Sequence, residues 1–116
     1  MPRKSVFEMS FASVYQALIN KAERKGRTAG EVDEVTSWLL GYTPEQLEEL
    51  RERGATYGDF IDGAPSPNPK AVLITGKICG VQVETIENPL EKRMRQLDKL
   101  ADELAKGRPM EKVLRS

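Results

Sequence analysis

No histidine occurs anywhere in this chain. Histidine is the usual general base near neutral pH and the commonest metal ligand. Its absence removes the Ser-His-Asp and Cys-His nucleophile systems at a stroke. The single cysteine excludes an internal disulfide, fits a reducing compartment, and cannot build the usual structural zinc sites. Net charge is also missing: 18 basic side chains balance 18 acidic ones. A protein that lives on nucleic acid ordinarily carries a basic excess, because phosphate neutralisation dominates its affinity. Nowhere is there the run of about 18 apolar residues that spans a bilayer. The opening residues MPRKSVFEMSF hold no continuous apolar segment of signal-peptide length. A cytoplasmic protein with no membrane role is expected.

What remains open is carboxylate, lysine and tyrosine chemistry, so the balance leans away from an enzyme. No catalytic residue, cofactor or metal ligand is assigned. At 116 residues, 39% hydrophobic and 31% charged, the chain reads as one globular domain over 1–116 with a core of its own. The expected fold class is mainly α, a compact orthogonal bundle of several helices.

The helices announce themselves by caps. Residues 11 to 25 carry Phe11, Val14, Tyr15, Leu18, Ile19 and Ala22 at helical spacing, with Ser10 as N-cap and Gly26 as stop. Thr28 with Glu31 is a capping box ahead of Val32, Val35 and Leu39, and Gly41 closes that helix. Thr43-Pro44-Glu45-Gln46 repeats the pattern, with Leu47 and Leu50 as apolar contacts and Gly54 as terminus. Thr56 and Asp59 open a short turn carrying Tyr57, Phe60 and Ile61. The loop at 62–68 reads as a surface crossing rather than a boundary. Asn88-Pro89 opens the longest helix, about 27 Å to Lys106. There Leu90, Met94, Leu97, Ala101 and Leu104 share a face, and a tail with Met110, Val113 and Leu114 folds back.

Residues 71–86 are ambiguous. Asn68-Pro69 restarts a helix, and propensity favours helix through the segment. A short β-hairpin within 72–83, turning over Gly76-Lys77, is the alternative.

Several stretches resemble a small bacterial family known only as domain of unknown function twenty-two hundred. They are Phe11-Ala-Ser-Val-Tyr15, residues 21–28, Trp38-Leu-Leu-Gly-Tyr42, Asn68-Pro69, Leu73-Ile-Thr-Gly76, Ile78-Cys-Gly-Val81, Leu97-Asp-Lys-Leu100 and Met110-Glu-Lys112. The resemblance runs nearly the whole length. It implies a mainly helical fold, tilts the ambiguous segment toward helix, and carries over no activity or site residue.

Candidate contacts are therefore read from the residues alone. Charge is segregated. Residues 1–30 hold six basic and two acidic groups, 31–63 two basic and nine acidic, and 64–116 ten basic and seven acidic. Lys21, Arg24, Lys25 and Arg27 form a basic patch for an acidic partner or phosphate, against the blander expectation of internal pairing. Trp38, Tyr42, Tyr57 and Phe60 line a pocket, or else Trp38 and Phe60 fill the core while the tyrosines close its rim. Ser66, Asn68 and Lys70 sit where a helix amino terminus attracts anions. Cys79 reads as a buried structural thiol, and Asp98 as a partner for a cation or a helix end. Residues 28–53 have helix-turn-helix spacing, but Glu45, Glu48, Glu49 and Glu52 repel a phosphate lattice, so DNA binding is disfavoured. The favoured function is a non-catalytic domain that binds a protein partner or itself. The alternatives are a small anionic ligand held at Ser66, Asn68 and Lys70, or nucleic acid held by the basic patch at residues 21–27.

Overall fold

The structure, a computed structural model, describes residues 6–78 and 80–114. Six α-helices appear among them, in the order α1 Phe11–Arg24, α2 Ala29–Leu40, α3 Pro44–Arg53, α4 Tyr57–Asp62, α5 Pro89–Ala105 and α6 Met110–Val113. Between α4 and α5 lies one small antiparallel hairpin, β1 Lys77–Ile78 and β2 Val81–Gln82.

Five of the six helices begin where a side chain supplies an acceptor for otherwise orphaned amides; α6 starts after Pro109 without one. Ser10 accepts from Ser13 at α1, and Asn88 from Leu90 and Glu91 at α5. Thr28, Thr43 and Thr56 open α2, α3 and α4 with full capping boxes, paired with Glu31, Gln46 and Asp59. Such caps are worth about 1 kcal/mol each. Two of them are also tied to each other. Ser10 and Thr56 form an isolated bridge in which Phe11 N–H donates to Ala55 at 2.8 Å and Tyr57 N–H to Met9 at 2.8 Å. That bridge fixes the start of α4 against the start of α1.

One buried cluster draws on all six helices, with Phe11, Tyr15, Leu40, Phe60, Leu97, Leu104 and Val113 completely enclosed. Phe60 is its hub: its ring centroid lies 4.5 Å from Phe11, 5.2 Å from Tyr42, 5.3 Å from Tyr57 and 6.0 Å from Tyr15. The aromatic sorting differs from the sequence expectation. Tyr42 and Tyr57, expected at the rim, are core residues at 6% and 1% exposure, while Trp38 is only half-buried; Tyr15 and Phe60 are enclosed as expected. Two of the buried tyrosines bring their hydroxyls to a partner. Tyr15 donates to Asp33 at 2.7 Å and shares a bond with Thr36 at 2.9 Å; Tyr42 donates to the Phe60 carbonyl at 2.6 Å.

The segment expected to favour helix is corrected. It is a 3₁₀ turn at Pro69–Leu73, then the hairpin, then a second 3₁₀ turn at Val83–Thr85. The reversal falls between Ile78 and Val81 rather than over Gly76-Lys77, with Gly80 at φ +79°. Gly76, at φ +106°, instead accepts from Val83 N–H at 3.0 Å and donates to Glu84 at 3.1 Å. An α-helix through 71–86 would require both glycines to abandon these conformations.

The polar side of α5 holds this irregular half in place. Arg93 donates to the Ile61 carbonyl, Gln96 to Ala71 and Lys99 to Lys77, each at 3.3 Å. Residues 66–68 meanwhile lie across the end of α2. Ser66 N–H donates to Leu40 at 3.1 Å, Asn68 N–H to Leu39 at 2.9 Å, and the Asn68 side chain to Trp38 at 3.0 Å. The crossing supplies donors to carbonyls at the carboxyl end of that helix.

Candidate interaction surface

The face that stands out lies on α3. Its amphipathic spacing buries Leu47 and Leu50 at 4% and 6% exposure. The same spacing turns Glu45, Glu48, Glu49 and Glu52 to solvent, and none of these four joins an ion pair among the described residues. Two arginines on the helix are placed to offset them, but only one stays outside. Arg51 is half-buried, with its guanidinium carbon 5.5 Å from the Tyr15 ring centroid, within cation–π range. Only Arg53 remains exposed on the acidic side.

Beside this face runs a groove of about 340 Å³ between α3, α4 and the loop that follows α4. Glu49 and Arg53 form one wall, Asp59 the other, and Gly63 and Pro65 the end, with only small edges of the buried Tyr42 and Leu50 reaching it. Tyr42 is held rigidly, stacked on Phe60 at 20° and hydrogen-bonded to its carbonyl. Burial pushes the Tyr42 hydroxyl above its usual range; Arg53 pulls it down, while Asp59 and Asp62 push it up. Opposite charges thus meet around one fixed aromatic ring.

The residues singled out from sequence fall in different places. Lys21 pairs with Asp102 at 3.2 Å and Arg27 with Glu31 at 2.7 Å. Arg24 and Lys25 stay exposed. The basic patch therefore keeps two outward cations. A hollow of about 570 Å³ lies beside Asn20, Glu23 and Arg24. All three belong to the exposed side of one helix and offer no opposing wall, so it is open surface. Tyr57 is inside, at 1% exposure, and is not available to a partner, contrary to the sequence expectation. Tyr42 lines the groove.

Ser66, Asn68 and Lys70 are brought together at a 3₁₀ turn of five residues. Their amides are already engaged: Ser66 and Asn68 donate to α2, and Lys70 N–H donates to the Asn68 side chain at 2.8 Å. Asp98 takes the structural role foreseen for it, 3.6 Å from Arg95 on its own helix. Cys79 lies outside the described residues.

Glu49, Arg53, Asp59 and Pro65 were not grouped by the sequence reading. The acidic excess over 31–63 was the available signal, and the inward turn of Arg51 was the part without one. No helix of the described chain is long and apolar enough to cross a membrane.

Comparison with known proteins agrees with this architecture. The crystal structure of the uncharacterized protein SP1917 superimposes with a TM-score of 0.91 at 48% identity, covering 98% of this chain and 95% of that one. No curated protein matches the chain. A family model described as an uncharacterized protein conserved in bacteria, DUF2200, matches residues 5–115. That match over nearly the whole length shows that this chain belongs to the bacterial family DUF2200.

Proposed function

We propose that the chain is a cytoplasmic, non-catalytic interaction domain that receives a basic segment of a protein partner on the outer face of α3 and in the groove beside it. The observation that carries this reading is the withdrawal of Arg51 onto Tyr15, which leaves four exposed glutamates on α3 with Arg53 as their one exposed counter-charge on that helix. Such a face lowers the free energy of a cationic partner before contact. It raises the encounter rate and rejects acidic surfaces, whose approach is repulsive. The exposed Pro65 wall supplies apolar contact beside the acidic face, with only an edge of the buried Tyr42 reaching the groove.

The test uses the full chain and a labelled peptide of alternating lysine and leucine. Binding is expected to weaken steeply with salt and to be lost in the triple variant Glu48→Gln, Glu49→Gln, Glu52→Gln. A second triple variant, Glu87→Gln, Glu91→Gln, Glu111→Gln, removes the same charge elsewhere and is expected to bind normally. Equal loss in both variants would reduce the effect to overall charge and sink the assignment. Light scattering across concentration separates the self-associating form: a dimer abolished by Glu48→Lys and by Arg24→Glu makes the basic partner a second copy.

A further inference from the structure

Two buried polar atoms on the adjacent helices α4 and α5 lack protein partners. Tyr57 is enclosed at 1% exposure, and its hydroxyl meets no hydrogen-bonding group of the protein. The Nε of Arg95 is likewise buried without a partner, although its Nη1 lies 3.6 Å from Asp98. Asp98 interacts electrostatically with both groups. The Asp98 charge helps burial hold the Tyr57 hydroxyl neutral, and Arg95 draws the Asp98 carboxyl back toward ionisation against its own burial.

We propose that Tyr57 Oη, Arg95 Nε and the Asp98 carboxylate together bind one ordered water molecule at the junction of α4 and α5. The chemistry of the three groups selects the ligand. A free anion is repelled by the carboxylate, a cation by the guanidinium, and an apolar group leaves all three unsatisfied. A neutral molecule with two acceptor sites and two donors matches them. It accepts from Tyr57 O–H and from Arg95 Nε–H and donates to Asp98. Internal waters typically make about three such bonds to groups that are otherwise unpaired. The site joins a short helix to the long one, close to where Arg93 already donates to the Ile61 carbonyl at 3.3 Å. The water is thus a second polar tie between α4 and α5, where α5 otherwise buries aliphatic side chains such as Leu97 and Leu100.

The experiment removes one oxygen atom. Tyr57→Phe keeps the ring and its packing on Phe60, so the fold is retained. A water-bridged hydroxyl predicts a fall in Tm similar to that of Tyr42→Phe, which loses a direct bond of 2.6 Å. A high-resolution crystal structure is expected to show solvent density within hydrogen-bond reach of Tyr57 Oη, Arg95 Nε and Asp98, lost in Tyr57→Phe. A variant as stable as the parent or more so identifies a dry, unsatisfied hydroxyl and overturns the proposal. So does density that touches Tyr57 but neither Arg95 nor Asp98.

Discussion

Replacing Tyr15 by phenylalanine deletes a single oxygen from the centre of the protein. The ring is fully enclosed, 4.9 Å from Phe11 and 6.0 Å from Phe60, and phenylalanine preserves that packing. What disappears is the donor to Asp33 at 2.7 Å and the contact with Thr36 at 2.9 Å. Thr36 is not stranded, because its hydroxyl also donates to the Val32 carbonyl at 2.9 Å. Asp33 is half-exposed and can turn to water. The cost is therefore that of one hydrogen bond to a charged acceptor, about 2 kcal/mol, without a further penalty for an abandoned buried group. For a chain of this length that corresponds to a fall in Tm of roughly 6–12 °C. The loss is large against a typical total of about 5–15 kcal/mol. Urea titration of Tyr15→Phe, Asp33→Ala and the double variant measures it directly, and a coupling of about 1 kcal/mol or more is expected between the two sites. A single-variant loss below about 0.5 kcal/mol, the scatter of a neutral surface change, or additive effects in the cycle, would refute the claim that this bond fastens α1 to α2.

Two further outcomes follow from the same geometry. At Gly41, φ is +83° and an added Cβ would sit 2.7–2.9 Å from the Ser66 Cβ, carbonyl and amide; at Gly54, φ is +70° and nothing lies within 4 Å. Gly54→Ala should therefore cost only the left-handed conformation, about 1 kcal/mol. Gly41→Ala should cost roughly 2–4 kcal/mol, because the crossing must lift off α2; equal losses in urea would contradict this. Asp98 and Asp102, one turn apart on α5, are driven in opposite directions. Burial lifts the Asp98 carboxyl above its ordinary 3.8 despite Arg95 and Lys21. Burial also pushes Asp102 up, but bonds from Lys106 and Lys21 outweigh it and leave it lowered. A raised group contributes fully below the unfolded pKa and loses that contribution as pH climbs through its folded value; a lowered one does the reverse. Asp98→Asn should then raise Tm at pH 7 and Asp102→Asn should lower it, both differences shrinking toward pH 3. Shifts of the same sign at pH 7 would be wrong for this structure.

The difference between what the sequence disclosed and what it hid is one of interaction range. Thr28, Thr43, Thr56 and Asn88 cap helices through partners two or three residues away. Their signals are complete within a short window, so those helix starts were legible. The segment 69–86 is decided elsewhere. Its carbonyls at Ala71 and Lys77 are taken by Gln96 and Lys99, 25 and 22 residues away in the chain. Gly76 closes onto Val83 and Glu84. Local propensity for helix was real, but no short window contains the donors that overrule it. The candidate surface follows the same logic. Four glutamates on one face of α3 are visible in the spacing of the sequence. Whether they are neutralised depends on Arg51, and Arg51 is committed to a ring 36 positions away in α1. The interior thus sets the charge of the exterior: by drawing in the cation that spacing alone would leave beside the glutamates, the aromatic core turns an ordinary solvated helix into an acidic face.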